Sequence, residues 1–387
     1  MTTTRLSRRG WIAAALATLI VPFVSISLPT ASQAAAGATV STSGLNSDGQ
    51  LGSGSTNSRT VFGMVSNLTD VDEIAGGREH VLARIGGQVW SWGDGSKGAL
   101  GLGNLVDHTL PTQITSLSGV TEIASGHYHS LALLQGGTVK SWGANSLGQL
   151  GDGTTAKRSS PVNVSGLTNV VDVVGGRDMS YALLGDGTVK SWGGGAEGEL
   201  GNGTTTVKQP TPVTVSRLDS IAAVAGGRQH GLALTTDGRV FAWGFNNSGQ
   251  LGDGTRTLRT APVQVQGITD AVAIAAGADH SVALLANGTV LTWGEGSRGQ
   301  LGSGGTADRL VPRVVTGLPA IASIGCGRDH TLVVSVTGQL WDWGQNDFGQ
   351  LGDGTTTRRL RPIQVSGIDN AVEAHGGRGY TVVLRSS

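Results

Sequence analysis

Five histidines occupy one recurring place in this chain. His80, His129, His230, His280 and His330 each end a Gly-x-x-His group, and Met179 and Tyr380 take that place in two further copies. Imidazole is a common metal ligand and acid–base group, so a site has to be considered. A metal needs ligands that converge. One histidine per copy, spread evenly along the chain, fits a structural hydrogen bond inside each copy better.

The two variable positions of Gly-x-x-His carry more varied chemistry. They read Arg78-Glu79, His127-Tyr128, Arg177-Asp178, Arg228-Gln229, Ala278-Asp279, Arg328-Asp329 and Arg378-Gly379. Guanidinium groups pair bidentately with carboxylates, so a set of five arginines would suit a protein partner with an acidic patch. The same residues equally describe arginines paired with neighbouring acids in a solvated network. Leu147, Phe245 and Phe348 lie in nearby loops. Arginine with aromatics is the composition that interface anchors favour.

Other chemistry is sparse. Asp152-Gly153, Asp253-Gly254 and Asp353-Gly354 lack the spaced carboxylates of a calcium loop and read as turns. No nucleophile–base pair, phosphate loop or paired-carboxylate motif stands out from the repeats. The expectation is a chain with no catalytic residues, no metal and no cofactor. Cys326 is the only cysteine and replaces a glycine of the repeat (compare Gly76, Gly175, Gly226 and Gly376), so it reads as a small packed residue.

These groups sit on a repeat. Gly-x-Leu-Gly-x-Gly recurs with its leucine at Leu51, Leu100, Leu150, Leu200, Leu251, Leu301 and Leu351. A Trp-Gly pair precedes six of them, at Trp92, Trp142, Trp192, Trp243, Trp293 and Trp343. A fixed period of about 50 residues marks units that bury their apolar faces only against one another. In one unit, residues 170–174, 181–184, 188–192 and 212–215 read as four short strands, and Asp186-Gly187 as a two-residue turn. Pro111, Pro161, Pro212, Pro262, Pro312 and Pro362 open the fourth strands, which places those strands on an edge. Seven such units describe an all-β, seven-bladed β-propeller with four antiparallel strands per blade. The last copy ends after two strands, and residues 37–44 resume the pattern at its third. Residues 39–43 are therefore expected to pair with 379–384 and close the ring.

Residues 1–36 read as a signal peptide, leaving 37–387 as the propeller. Arg5, Arg8 and Arg9 precede an uncharged apolar stretch over 11–28, and small residues follow at 32–36. An uncleaved membrane anchor is the alternative. Both Sec and twin-arginine export fit the Arg8-Arg9 pair. Loss of this segment leaves 24 basic against 27 acidic residues, a net charge of −3, which argues against nucleic-acid binding. The expectation is a secreted monomer that leaves the membrane once cleaved.

The run Pro-Val-x-Val-x-Gly-Leu, Gly-x-x-His-Ser-x-Ala-Leu, Asp-Gly-x-Val-x-x-Trp-Gly-x-Asn-x-x-Gly-Gln-Leu-Gly resembles the regulator of chromosome condensation repeat. The resemblance covers residues 37–384 and implies a seven-bladed propeller. It implies three functions. The first is an exported, non-enzymatic scaffold that binds a protein through one loop-lined face. The second is inhibition of β-lactamase, as in secreted bacterial relatives whose Gly-x-x-His positions are rich in aromatics; here only Tyr128 is aromatic. The third is guanine-nucleotide exchange on a small GTPase, which the signal peptide and the uniform repeat spacing disfavour. On the first reading the face carries Arg78, Glu79, His127, Tyr128, Arg177, Asp178, Arg228, Gln229, Asp279, Arg328, Asp329, Arg378, Phe245 and Phe348.

Overall fold

Short β-branched runs cut by glycine leave room for strands and nothing longer. The computed structural model describes residues 37–387 and contains twenty-eight strands, from β1 (Thr39–Gly44) to β28 (Tyr380–Arg385). They form seven antiparallel sheets of four, the blades of a β-propeller. The signal peptide and the alternative anchor, both assigned to residues 1–36, lie outside the described residues.

Blade 3 shows how the residues make the unit. It consists of β11 (Val170–Gly175), β12 (Met179–Leu184), β13 (Val189–Gly193) and β14 (Gln209–Thr214), hydrogen-bonded in that order. The first strand is innermost, since β11 touches the first strands of both neighbouring blades, β7 (Val120–Ser125) and β15 (Ile221–Gly226). The β12–β13 hairpin corrects the two-residue turn expected at Asp186-Gly187. Leu184 and Thr188 close a three-residue loop, and Gly187 alone takes a positive φ, +86°. Asp186 accepts the Thr188 amide, a loop form that needs glycine only at its last position.

The prolines also need correction. The fourth strands begin three residues earlier than expected, so Pro161 and Pro212 lie inside β10 (Arg158–Asn163) and β14. The ladder of β10 with its neighbour shifts register between Arg158 and Val162, across Pro161. An irregular outermost strand tolerates the missing N–H because no partner lies beyond it.

The ring closes as expected. β1 pairs antiparallel with β28 from Thr39 opposite Arg385 to Gly44 opposite Tyr380. The closing blade, blade 7 when blades are counted along the chain from the one carrying Gly77, runs β2 (Arg59–Thr69), β1, β28, β27 (Ala371–Gly376).

Apolar cores lie between blades. Trp92, Trp142, Trp192, Trp243, Trp293 and Trp343 are fully buried. Each indole N–H reaches back to a loop carbonyl of the preceding blade, as Trp192 does to Gln149 at 2.9 Å. The closing blade has Ser43 in the tryptophan's place, and two residues share the indole's work. The Ser43 hydroxyl donates to the Gln350 carbonyl at 3.1 Å. Phe62 from β2 supplies the ring, packed against Gly352 and the cluster of Leu332, Leu340 and Ile368. Trp192→Ala is expected to cost about 3–5 kcal/mol, as for other large-to-small core changes. Urea unfolding checks this, and an unchanged midpoint would remove the indoles from the core.

Candidate protein-binding face

The Gly-x-x-His loops join the first and second strands of each blade, so all seven meet around one mouth of the central channel. Their backbones form a closed ring of hydrogen bonds. The amide of Arg78 donates to the carbonyl of His127, and that of His127 to Gly176. Arg177 continues to Gly227, Arg228 to Ala278, Ala278 to Arg328, and Arg328 to Gly377. Arg378 returns to Arg78 at 3.0 Å.

Below this ring lie the repeated histidines. They were expected to bond within their own blades, and instead each of the five ties its blade to the next. Nε2 of His80 meets Ser130 Oγ at 3.0 Å, His129 meets Ser180 at 2.8 Å, and His230 meets Ser281 at 3.0 Å. His280 meets Thr331 and His330 meets Thr381, both at 2.9 Å. The hydroxyls of Ser130, Ser180, Ser281 and Thr331 donate onward to backbone carbonyls, so the imidazole must supply the proton at Nε2. In blade 1 the ring lies directly on Gly77, leaving no room there for a Cβ. Burial pushes these imidazoles down to about 4 in His80 and His230 and to about 3 in His129, His280 and His330.

At the mouth, each arginine has an acid. Arg78 lies 3.5 Å from Glu79, Arg177 3.0 Å from Asp178, and Arg328 3.3 Å from Asp329. Arg228 reaches across to Asp279 at 3.4 Å, and Arg378 crosses the closure to Glu79 at 3.0 Å. The paired network is therefore real, with three of these pairs within blades and two between them. Its depth is uneven. The Arg177, Arg228, Arg328 and Arg378 side chains are 36–45 % exposed, whereas Glu79, Asp279 and Asp329 are 12–13 % exposed. Solvent meets guanidinium first and carboxylate beneath. Burial raises Asp178, Asp279 and Asp329 against the pull of the arginines, Asp329 to about 6.

The remaining residues gather around this ring. The Arg78 guanidinium lies 5.0 Å above the Tyr128 ring. His127 packs 4.8 Å from Tyr128, and burial followed by the charges of Arg78, Arg177 and Arg328 pushes it down to about 3. Asp279 accepts from Gln250, and the Phe245 amide donates to the Gln229 carbonyl at 2.8 Å, which holds both Phe245 and Gln229 at the rim of the mouth. Phe348 lies over Gly379, the one ring position without a side chain, beside Arg328 and Arg378. Arg298 joins the same cup, and the sequence reading missed it. The signal was present: Arg298 holds the loop position of Leu147 and Phe348, three residues before the repeat leucine.

The Asp-Gly positions are turns. Asp152 Oδ1 accepts from the Thr154 amide and hydroxyl at 2.9 and 2.7 Å, and Arg158 pairs with Oδ2 at 2.8 Å. Among the described residues, no group of three histidine, cysteine, aspartate or glutamate side chains is placed to hold a metal ion. Cys326 is a free, partly buried thiol packed against the core cluster that includes Val282, Val333 and Trp343, and burial pushes its pKa well up.

A family model described as the RCC1-like domain matches residues 166–387. A model of the regulator of chromosome condensation repeat matches residues 86–133 and 136–183, and a second matches 120–149. The human regulator of chromosome condensation is 51% identical over 43 residues, which is 11% of this chain and 10% of that protein. The chain thus aligns with about a tenth of that relative's length. Solved structures share the whole propeller. Prp20p from Saccharomyces cerevisiae, described with its binding to Gsp1p and histones, superposes with a TM-score of 0.83 at 23% identity, covering 91% of this chain and 92% of its own. Yeast Prp20 has also been solved with Kap60 bound to it. Human WBSCR16 gives a TM-score of 0.81 at 24% identity, covering 90% and 99%. At such identities the likeness is one of fold.

Proposed function

The chain belongs to the RCC1-like domain family, and from that premise we propose that it is an exported, non-enzymatic scaffold that binds a protein partner through the face carrying the arginine ring. One observation carries the reading: on this face the arginines stand proud of their acids. A partner with an acidic patch meets positive charge first, and the buried carboxylates hold the guanidinium groups in place. Seven loops on a rigid ring are also where a propeller varies without cost to its core. The partners described for yeast Prp20, namely Gsp1p, histones and Kap60, support protein binding as a use of this fold. The proposed scaffold acts as a monomer outside the cell, without nucleic acid, and without the membrane once its leader is cleaved.

Capture with residues 37–387 as bait, from culture medium or host extract, would identify the partner. N-terminal sequencing of secreted protein checks export, and an intact Met1 in a membrane fraction would favour the anchored form. With a partner in hand, replacing Arg177 and Arg228 together with glutamate is expected to slow association and flatten its salt dependence. The melting temperature should move by only a few degrees, since both arginine side chains are exposed at the mouth. Binding that survives the double reversal, or that maps to the Asp186-Gly187 and Asp237-Gly238 turns, would place the site on the opposite face.

A further inference from the structure

The face is not uniform around its ring. Blade 7 carries Gly379 where other blades carry Glu79, Tyr128, Asp178, Gln229, Asp279 and Asp329. Two consequences follow. Blade 7 has no acid of its own at the mouth, so Arg378 shares Glu79 of blade 1 with Arg78. The missing side chain also opens a seat that Phe348 fills from blade 6, its ring against the Gly379 backbone. Beside it lies a shallow cup lined by Arg298, Arg328, Asp329, Gln345, Asp347, Phe348 and Arg378. Arg328 pairs with Asp329 and Arg378 with Glu79. Arg298 is exposed and, among the described residues, makes no ion pair. The cup therefore offers one guanidinium with no ion pair, two partly exposed paired ones and a half-buried phenyl ring within a single concavity.

We propose that this cup between blades 6 and 7 is the anchor point of the face, and that it takes a peptide segment in which a carboxylate side chain adjoins an apolar one. The carboxylate is held by Arg298 with Arg328 or Arg378, and the apolar side chain rests on Phe348. Charge complementarity selects the acid, because three arginines face two aspartates there. The phenyl ring selects the neighbour, because a half-exposed aromatic gains most from covering by another apolar group. The inference rests on the assignment of the arginine face and adds to it where on that face, and by what chemistry, a partner is gripped.

The test uses a fluorescent synthetic peptide with glutamates flanking a leucine–phenylalanine pair, and a second peptide with glutamine for each glutamate. Saturable binding of the first and not the second is expected for the intact chain. Phe348→Ala and Arg298→Ala should each weaken it about tenfold or more, as removal of an interface anchor does. Lys97→Ala should leave it unchanged, because Lys97 holds the position of Arg298 and Phe348 on blade 1, away from the cup. Melting curves of the variants exclude unfolding as the cause. Binding insensitive to Phe348→Ala and Arg298→Ala overturns the cup. If such binding is also lost on reversing Arg177 and Arg228, the arginine face stands and only its anchor is misplaced. Equal binding of the glutamine peptide, or no saturable binding of either, overturns the ligand chemistry, whereas the face itself is judged separately with the captured partner.

Discussion

Between pH 6.5 and pH 5 the protein is expected to lose stability steeply. His80, His129, His230, His280 and His330 are fully buried, and His127 is half-buried. All six have folded pKa values of about 3 or 4, below the ordinary value near 6.5. The unfolded chain therefore takes up protons first as pH falls, and stability drops with pH. The loss begins below pH 6.5 and ends only near the folded values. At pH 5.5 each imidazole contributes a loss on the order of 1 kcal/mol. Buried carboxyls oppose this. Asp342, buried where other blades carry serine, threonine or alanine, is raised well above its usual range, and Asp329 rises to about 6. Both take up protons more readily when folded. The lowered imidazoles outnumber these raised carboxyls, so a net loss of stability from neutral pH to pH 5.5 is expected. Denaturant midpoints measured across this range check the slope, and proton NMR should show no titration of these imidazoles above pH 5 in the folded chain. A flat or rising stability toward pH 5 would mean that the histidines are not buried neutral ties between blades.

Deleting residues 37–44 is expected to open the ring and cost on the order of 5 kcal/mol or more. This segment contains β1, which pairs with β28 along its whole length and with β2 on its other side. It also buries Ala38 and Val40 and supplies the Ser43 bond to Gln350. Without it, β28 becomes a bare edge at the one seam that lacks a tryptophan. A synthetic peptide of residues 37–46 added to the deleted chain should restore part of the melting temperature by refilling the slot. A melt unchanged by the deletion would show that the ring is held elsewhere.

Much of this architecture was legible in the residues. The seven-fold recurrence of Gly-x-Leu-Gly-x-Gly required repeated units, and the resumption of the pattern across the termini required closure by residues 37–44. The loop connectivity placed Gly-x-x-His and the Gly-x-Leu-Gly loops on one face, where the structure has them. These features are local or periodic, and periodicity reports positions within a unit.

What the residues could not show concerns relations between units. The histidines looked like ties within a blade, yet their partners, from Ser130 to Thr381, belong to the next blade. The missing seventh tryptophan had no visible substitute, because Ser43 and Phe62 that divide its work are far apart in any repeat alignment. Arg298 drew no notice until the geometry placed it in the cup with Phe348 and Arg378. The choice between an arginine site and a paired network was likewise open, since both use the same residues. The structure shows the paired network, with the acids less exposed than the arginines they pair with. A repeat determines which residues recur at a position. The packing of one blade on the next decides which of them meet, how deeply each lies, and which charge faces solvent.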